Sequence, residues 1–113
     1  QFAVFQAVLS KTSTAWTFNP FSLNGNGVAD TTHLTITSPN MLDLNQRELT
    51  VEIFDLKSKL IRTLVDHTLI HTNSVSIEWD GRNRMGEIVN IGPYLYQVRI
   101  GTEISNGVII IGK

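Results

Sequence analysis

Residues 74–100 have the sequence SVSIEWDGRNRMGEIVNIGPYLYQVRI. On each side of a central polar stretch that contains glycine, apolar and polar side chains alternate from one residue to the next. Because successive side chains of a β-strand point to opposite faces, this pattern predicts two half-buried strands joined by a tight loop. The apolar positions, expected to face the core, are Val75, Ile77, Trp79, Tyr94, Tyr96, Val98 and Ile100.

The same alternation recurs along the chain in short segments bounded by Gly, Pro, Asn, Asp or Ser. It predicts an all-β immunoglobulin or fibronectin-III-like antiparallel β-sandwich of seven to eight strands, with a closed barrel as the alternative. The predicted strands are residues 2–10, 15–21, 33–38, 48–55, 60–66, 74–79, 94–101 and 105–111. Leu34, Ile36, Leu49, Val51 and Ile53 are also expected to face inward, whereas Thr35, Thr37, Thr50, Glu52, Ser76, Glu78, Gln97 and Arg99 are expected to face water.

Size and composition limit the class of protein. The chain has 113 residues, of which 42% are apolar, and no cysteine, so one domain with a core that needs no disulfides is expected. A net charge of −1 without a basic cluster argues against a nucleic-acid partner. The longest apolar runs are too short for a membrane-spanning helix, which needs about 20 residues.

The domain organisation predicted is one sandwich over residues 15–113. Residues 1–14 have two interpretations, a linker from a preceding domain or a first edge strand, and the sequence leaves both open. Because the chain begins at Gln1 with no initiator methionine or leader pattern, we expect it to be a piece of a longer precursor.

Several motifs, in this order and spacing, resemble a known family. They are Phe18-Asn19-Pro20-Phe21-Ser22, Leu49-Thr50-Val51-Glu52-Ile53-Phe54-Asp55, Ile61-Arg62-Thr63-Leu64, Trp79-Asp80-Gly81-Arg82-Asn83 with Gly86, and Gly92-Pro93-Tyr94-Leu95-Tyr96. Together, over residues 18–113, they resemble the immunoglobulin-like domain named after the flagellar hook-capping protein FlgD.

That resemblance implies a C-terminal, non-catalytic accessory module of a larger secreted or cell-surface bacterial protein, because such modules occur there and some act as type IX secretion sorting domains. It implies structural support, domain docking or sorting and anchoring. The expected partners are neighbouring domains of the same polypeptide and cell-surface or secretion machinery. Sorting domains carry Gly-Val-Tyr and a basic tail, whereas this chain has Gly92-Pro93-Tyr94 and residues 108–113 hold one lysine.

Physical chemistry gives the motif residues a structural role. Trp79 is interpreted as a core residue, Asp80 as an acceptor for backbone N–H groups within the following turn, and Tyr94 as part of a tyrosine corner. The predicted fold-specifying residues are Trp79, Asp80, Gly81, Gly86, Gly92 and Tyr94.

Two sets of residues have spacings that suggest a metal. Asn24, Asn26 and Asp30 lie among glycines in a way that suits a calcium ion, but a single carboxylate favours a hydrogen-bonded entry loop. His67 and His71 have the zinc spacing of a helix, but their β-branched neighbours favour extended structure, in which they lie too far apart. With His33, they are interpreted as exposed residues, and no cofactor is expected.

The remaining function classes are catalysis and sugar binding. No nucleophile elbow, paired carboxylates or phosphate loop is present, so no catalytic residue is assigned and an enzyme is not expected. A carbohydrate-binding module appended to a secreted hydrolase, with polysaccharide as partner, is the alternative function. Trp16 and Phe18, followed by Phe21, would form its aromatic platform, although their spacing is more typical of a core.

Overall fold

The computed structural model describes residues 12–22, 31–38 and 48–112, which form eight β-strands and no helix. The strands are β1 (Ser13–Trp16), β2 (Phe21–Ser22), β3 (Thr32–Thr37), β4 (Glu48–Phe54), β5 (Leu60–Leu69), β6 (Ser74–Trp79), β7 (Gly92–Ile100) and β8 (Glu103–Gly112).

Two sheets pack face to face. The smaller has three strands in the order β1-β3-β6, and the larger has five in the order β2-β8-β7-β4-β5. All pairs are antiparallel except β2 with β8, which is parallel. Each sheet buries the alternate apolar side chains of its inner face, so the fold is the predicted immunoglobulin-like β-sandwich.

The core contains the side chains that the alternation placed inward. The buried hydrophobic residues are Phe21, Leu34, Ile36, Leu49, Val51, Ile53, Trp79, Tyr94, Tyr96, Val98, Ile100, Ile109 and Ile111. Val75 and Ile77 are partly buried and pack against this cluster. The inward assignments are therefore confirmed in every strand where they were made.

The predicted strand at residues 15–21 is wrong as a single element. β1 belongs to the three-stranded sheet and β2 to the five-stranded sheet, and residues 17–20 bend between them. Pro20, which has no backbone N–H and is preceded by a cis peptide bond, lies in this crossing. The predicted strand at residues 2–10 lies outside the described residues.

Thr50 was expected to face water, but it is 3% exposed. Its pairing with β5 shifts register between Leu49 and Val51, which marks a β-bulge. At the bulge His67 adopts φ 48° and donates its backbone N–H to Thr50 Oγ1 at 3.1 Å. The backbone of β5 at the bulge therefore lies against the Thr50 side chain, which is buried.

Candidate functional site

Trp79 lies at the centre of an aromatic cluster between the sheets. It is 0% exposed and its ring centroid lies 6.3 Å from that of Trp16, 6.4 Å from Phe21 and 6.3 Å from Tyr94. The interplanar angles of 54° to 76° are tilted or edge-on, the arrangements that aromatic pairs prefer. The indole N–H donates to the Arg82 carbonyl at 3.0 Å, which satisfies the one polar atom of the side chain.

Asp80, directly after Trp79, organises the start of the β6–β7 loop. Its Oδ1 accepts the backbone N–H of Arg82 and the Arg62 guanidinium, each at 3.1 Å. The same guanidinium nitrogen also donates to the Arg82 carbonyl at 3.1 Å, so strand β5 is fixed to the loop that follows β6. Gly81, at φ 74°, permits the turn between these groups.

The rest of the loop is closed by a second side chain acting as an acceptor. Asn83 Oδ1 accepts the backbone N–H groups of Met85 and Glu87 at 2.9 and 3.0 Å. Gly86 adopts φ 86° within this turn, a conformation that side chains disfavour. The Trp-Asp-Gly-Arg-Asn motif therefore makes hydrogen bonds within its own loop, as expected of residues that specify a fold. The role of these residues in specifying the fold stays a prediction.

Tyr94 closes the loop at the start of β7. Gly92, two residues earlier, adopts φ 141°. The Tyr94 hydroxyl donates to the carbonyl of Asn90, four residues earlier, at 2.8 Å. The ring is 8% exposed. Burial, and secondarily the negative charge of Asp55, raises the pKa of Tyr94 above its ordinary value of about 10.

The raised pKa of Tyr94 predicts a loss of stability at alkaline pH. The folded state holds the phenolic proton more tightly than the unfolded state. The stabilisation that Tyr94 gives the fold is therefore complete below about pH 10 and falls as the pH rises toward the folded-state pKa. Tyr94→Phe should cost about 1 kcal/mol at pH 7, through the lost hydrogen bond, and this deficit should narrow above pH 10. Urea unfolding of both proteins from pH 8 to 11 tests this, and parallel curves would contradict it.

The outer face of the five-stranded sheet carries a contiguous group of apolar side chains. Phe54 on β4, Leu95 on β7 and Val108 on β8 are cross-strand partners in one row. Pro93 and Ile110 form the next pair along β7 and β8. Each alternates with a buried residue, so all five point away from the core. We call these five residues the outer apolar patch.

Exposure and surroundings distinguish this patch from the rest of the same face. Val108 and Ile110 are 46% and 43% exposed. Further along the strands the face is mainly polar, with Ile104 as the apolar exception: Arg99 pairs with Glu52 at 3.2 Å, and Gln97 donates to Asn106 at 3.2 Å. A solvated sheet face is normally polar throughout, so an apolar half next to a polar half is typical of a contact surface.

The aromatic residues considered for sugar binding differ in burial. Trp16 is half-buried, with its ring 5.4 Å from Tyr96 in an edge-on arrangement, and its indole Nε1 is buried without a hydrogen-bond partner among the described residues. Phe18 lies beyond the end of β1 and is 42% exposed. Phe21 is fully buried. The three side chains therefore differ widely in exposure, and a sugar-binding role for Trp16 and Phe18 stays a prediction.

The candidate metal ligands lie partly outside the described residues. Asn24, Asn26 and Asp30 lie outside the described residues. His33 lies on β3, His67 on β5 beside Asp66, and His71 just after β5. Within residues 12–22, 31–38 and 48–112, no three His, Asp or Glu side chains come close enough together to share an ion. The same ranges contain no helix of the length and hydropathy needed to cross a bilayer.

Comparison with known proteins identifies the architecture. The chain resembles part of dimeric latent PorU from Porphyromonas gingivalis, with a TM-score of 0.63 and 18% sequence identity over 88% of this chain and 9% of that one. It also resembles part of PorZ, described as an essential bacterial surface component of the type IX secretion system of the same organism, with a TM-score of 0.55 and 19% identity over 89% of this chain and 12% of PorZ.

These likenesses show the fold. No family model and no curated protein matches the sequence. The chain spans about a tenth of the length of the two solved structures, so it corresponds to one module of each. Its class is an immunoglobulin-like β-sandwich module that exposes an outer apolar patch.

The sequence reasoning missed the outer apolar patch. The sequence does indicate the patch. Val108 and Ile110 alternate with Ile109 and Ile111 in an uninterrupted apolar run, whereas a strand with one solvated face would be polar at every second position. The alternation of Tyr94 and Tyr96 likewise leaves Leu95 as an apolar residue on the outer face.

Proposed function

We propose that this chain is a non-catalytic accessory module of a larger secreted or cell-surface bacterial protein, and that it docks on a neighbouring domain of the same polypeptide through the outer apolar patch. The fold supports this proposal, since PorU and PorZ each contain such a module as a small part of a longer chain. PorZ is described as a bacterial surface component of the type IX secretion system. Sorting or anchoring during export is a finer form of the same role.

The observation that carries the proposal is the register of the patch. Phe54, Leu95 and Val108 form a row across three neighbouring strands, so they offer a partner one continuous apolar contact. Burying exposed apolar area gains about 25 cal/mol per Å², and domain interfaces within a chain are stabilised in this way.

Membership of the FlgD-like family is part of the proposal. The burial of Trp79 and Tyr94, and the hydrogen bonds that Asp80 and Tyr94 make, support this part of the proposal. The division at residues 14 and 15 also stays a prediction. β1 begins at Ser13, whereas residues 1–11 are outside the described part, so the linker and edge-strand interpretations both stand.

The docking role is tested in the parent polypeptide by hydroxyl-radical footprinting. The side chains of Leu95, Val108 and Ile110 should be labelled severalfold less in the parent than in the isolated 113-residue chain, because a neighbouring domain covers them. Val108→Lys should restore the labelling of Leu95 and Ile110 in the parent, since desolvation of a lysine charge in an apolar interface is unfavourable.

Ile104→Lys is the matched control. Ile104 lies on the same strand and outer face and is 55% exposed, but it pairs with Arg99 on the polar half of the face. It should leave the labelling of the patch unchanged. Equal labelling of the patch in the parent and in the isolated chain would refute docking. Heat on titration with a polysaccharide panel, lost in Phe18→Ala, would favour the carbohydrate-binding alternative.

A further inference from the structure

Basic side chains are concentrated in two segments that lie side by side. Residues 55–62, which form the β4–β5 turn and the start of β5, and residues 80–87, in the β6–β7 loop, together hold five of the nine Lys and Arg residues but three of the ten Asp and Glu residues. The backbone N–H of Arg84 donates to the Ile61 carbonyl at 2.9 Å, which joins the two segments. Because the whole chain has a net charge of −1, this region is positive while the rest of the chain is negative.

Two of these cations have no carboxylate partner. Asp80 is shared by the guanidinium groups of Arg62 and Arg82, so one carboxylate serves both. In the part of the chain that the structure describes, no Asp or Glu side chain pairs with that of Lys59 or Arg84. Both side chains are exposed, so an external anion can reach them.

Hydrogen bonds hold both segments in place and engage their other two carboxylates. Asp55 Oδ1 accepts the backbone N–H groups of Lys57 and Lys59, each at 2.9 Å, and so fixes the β4–β5 turn. In the β6–β7 loop, Glu87 Oε1 accepts from Asn83 Nδ2 at 3.4 Å, in addition to the two backbone bonds of Asn83 Oδ1 described above. The positions from which Lys59 and Arg84 project are therefore set before any partner binds.

A cavity of about 160 Å³ lies between the two segments. Its lining is apolar apart from two cations and one amide, and consists of Lys59, Leu60, Ile61, Asn83, Arg84 and Met85. Two positive charges at one cavity repel each other, and an anion between them removes that cost. The apolar lining adds a second requirement, because it is best covered by hydrocarbon. A carboxylate on an apolar stem, which is the glutamate side chain, satisfies both.

We propose that this cavity binds a glutamate side chain from an acidic segment of a partner protein. The carboxylate would lie between Lys59 and Arg84, and arginine matches a carboxylate with two parallel N–H donors. The two CH₂ groups of the stem would contact Leu60, Ile61 and Met85. The positive field of the surrounding region attracts an acidic segment as a whole. The inference goes beyond docking through the outer apolar patch and does not depend on it, since it concerns another surface.

The test is titration of the 113-residue chain with a blocked pentaglutamate peptide, followed by NMR. The amide resonances of Lys59 and Arg84 should shift, and raising the salt concentration from about 20 to about 200 mM should weaken binding about fivefold. Lys59→Gln and Arg84→Gln should each weaken it about fivefold, through the loss of one exposed charge pair. Since both side chains are exposed, neither variant should lose its fold, which circular dichroism checks.

Lys57→Gln is the matched control, because it makes the same change in net charge in the same turn but Lys57 does not line the cavity. It should weaken binding less than about twofold. Blocked pentaglutamine supplies the stem without the charge and inorganic phosphate the charge without the stem, and each should bind about tenfold more weakly than pentaglutamate. The proposal is overturned if pentaglutamate shifts neither resonance, if Lys57→Gln weakens binding as much as Lys59→Gln, or if phosphate binds as tightly as the peptide.

Discussion

Trp79→Ala is expected to lower the free energy of unfolding by about 3 to 5 kcal/mol, which is the usual cost of truncating a buried large aromatic residue. The side chain is fully buried and packs against three aromatic rings, so its removal leaves a cavity between the sheets. It also leaves the Arg82 carbonyl without its indole donor. Urea denaturation followed by circular dichroism measures the difference. A domain of this size is stable by only about 5 to 15 kcal/mol, so the substitution removes a large fraction of the free energy of unfolding.

Phe18→Ala is the control for this prediction. Phe18 is also aromatic but is 42% exposed, and its backbone N–H and C=O both bond to the Thr32 hydroxyl, which the substitution leaves in place. We expect it to cost less than about 1 kcal/mol. Should Trp79→Ala cost as little as Phe18→Ala, the packing of the two sheets around the indole would be refuted.

Much of the fold could be predicted from the sequence because burial on one sheet face imposes a local pattern. Tyr94, Tyr96, Val98 and Ile100 alternate in the sequence and are all buried in the structure. The same holds for Trp79, whose position at the end of an alternating segment placed it between the sheets. These inferences need only the geometry of a single strand, which a short window of sequence contains.

The features that could not be predicted depend on residues far apart in the chain. Asn19 bonds to Val108 and Ile110, about ninety positions away, and nothing near it in the sequence indicates that partner. Local alternation also predicts one strand over residues 15–21, through Pro20, because apolar residues continue on both sides of the crossing. Similarly, Thr50 is buried because a bulge at His67 changes the register of β5. The alternation of apolar and polar residues in the sequence does not indicate such a bulge.

Gly107→Ala is expected to destabilise the protein by about 1 to 3 kcal/mol, although its position in β8 is that of an ordinary strand residue. A Cβ at Gly107 would lie 2.5 Å from both Cζ and the hydroxyl oxygen of Tyr96. The ring cannot easily move away, because it packs edge-on against Trp16 and its hydroxyl hydrogen-bonds Thr14 Oγ1 at 2.8 Å. The added methyl group must therefore displace the ring or part the strands, and urea denaturation measures the cost.

A double-mutant cycle identifies the clash as the cause. In a Tyr96→Ala background the obstructing ring is absent, so adding Gly107→Ala should cost less than about 0.5 kcal/mol. Gly86→Ala supplies the contrast. No atom lies within 4 Å of a Cβ at Gly86, and its cost of about 1 kcal/mol comes from φ 86°, so it should be the same with or without Tyr96. If Gly107→Ala costs as much in both backgrounds, its effect arises from the backbone, and the contact with Tyr96 does not explain why glycine occupies that position.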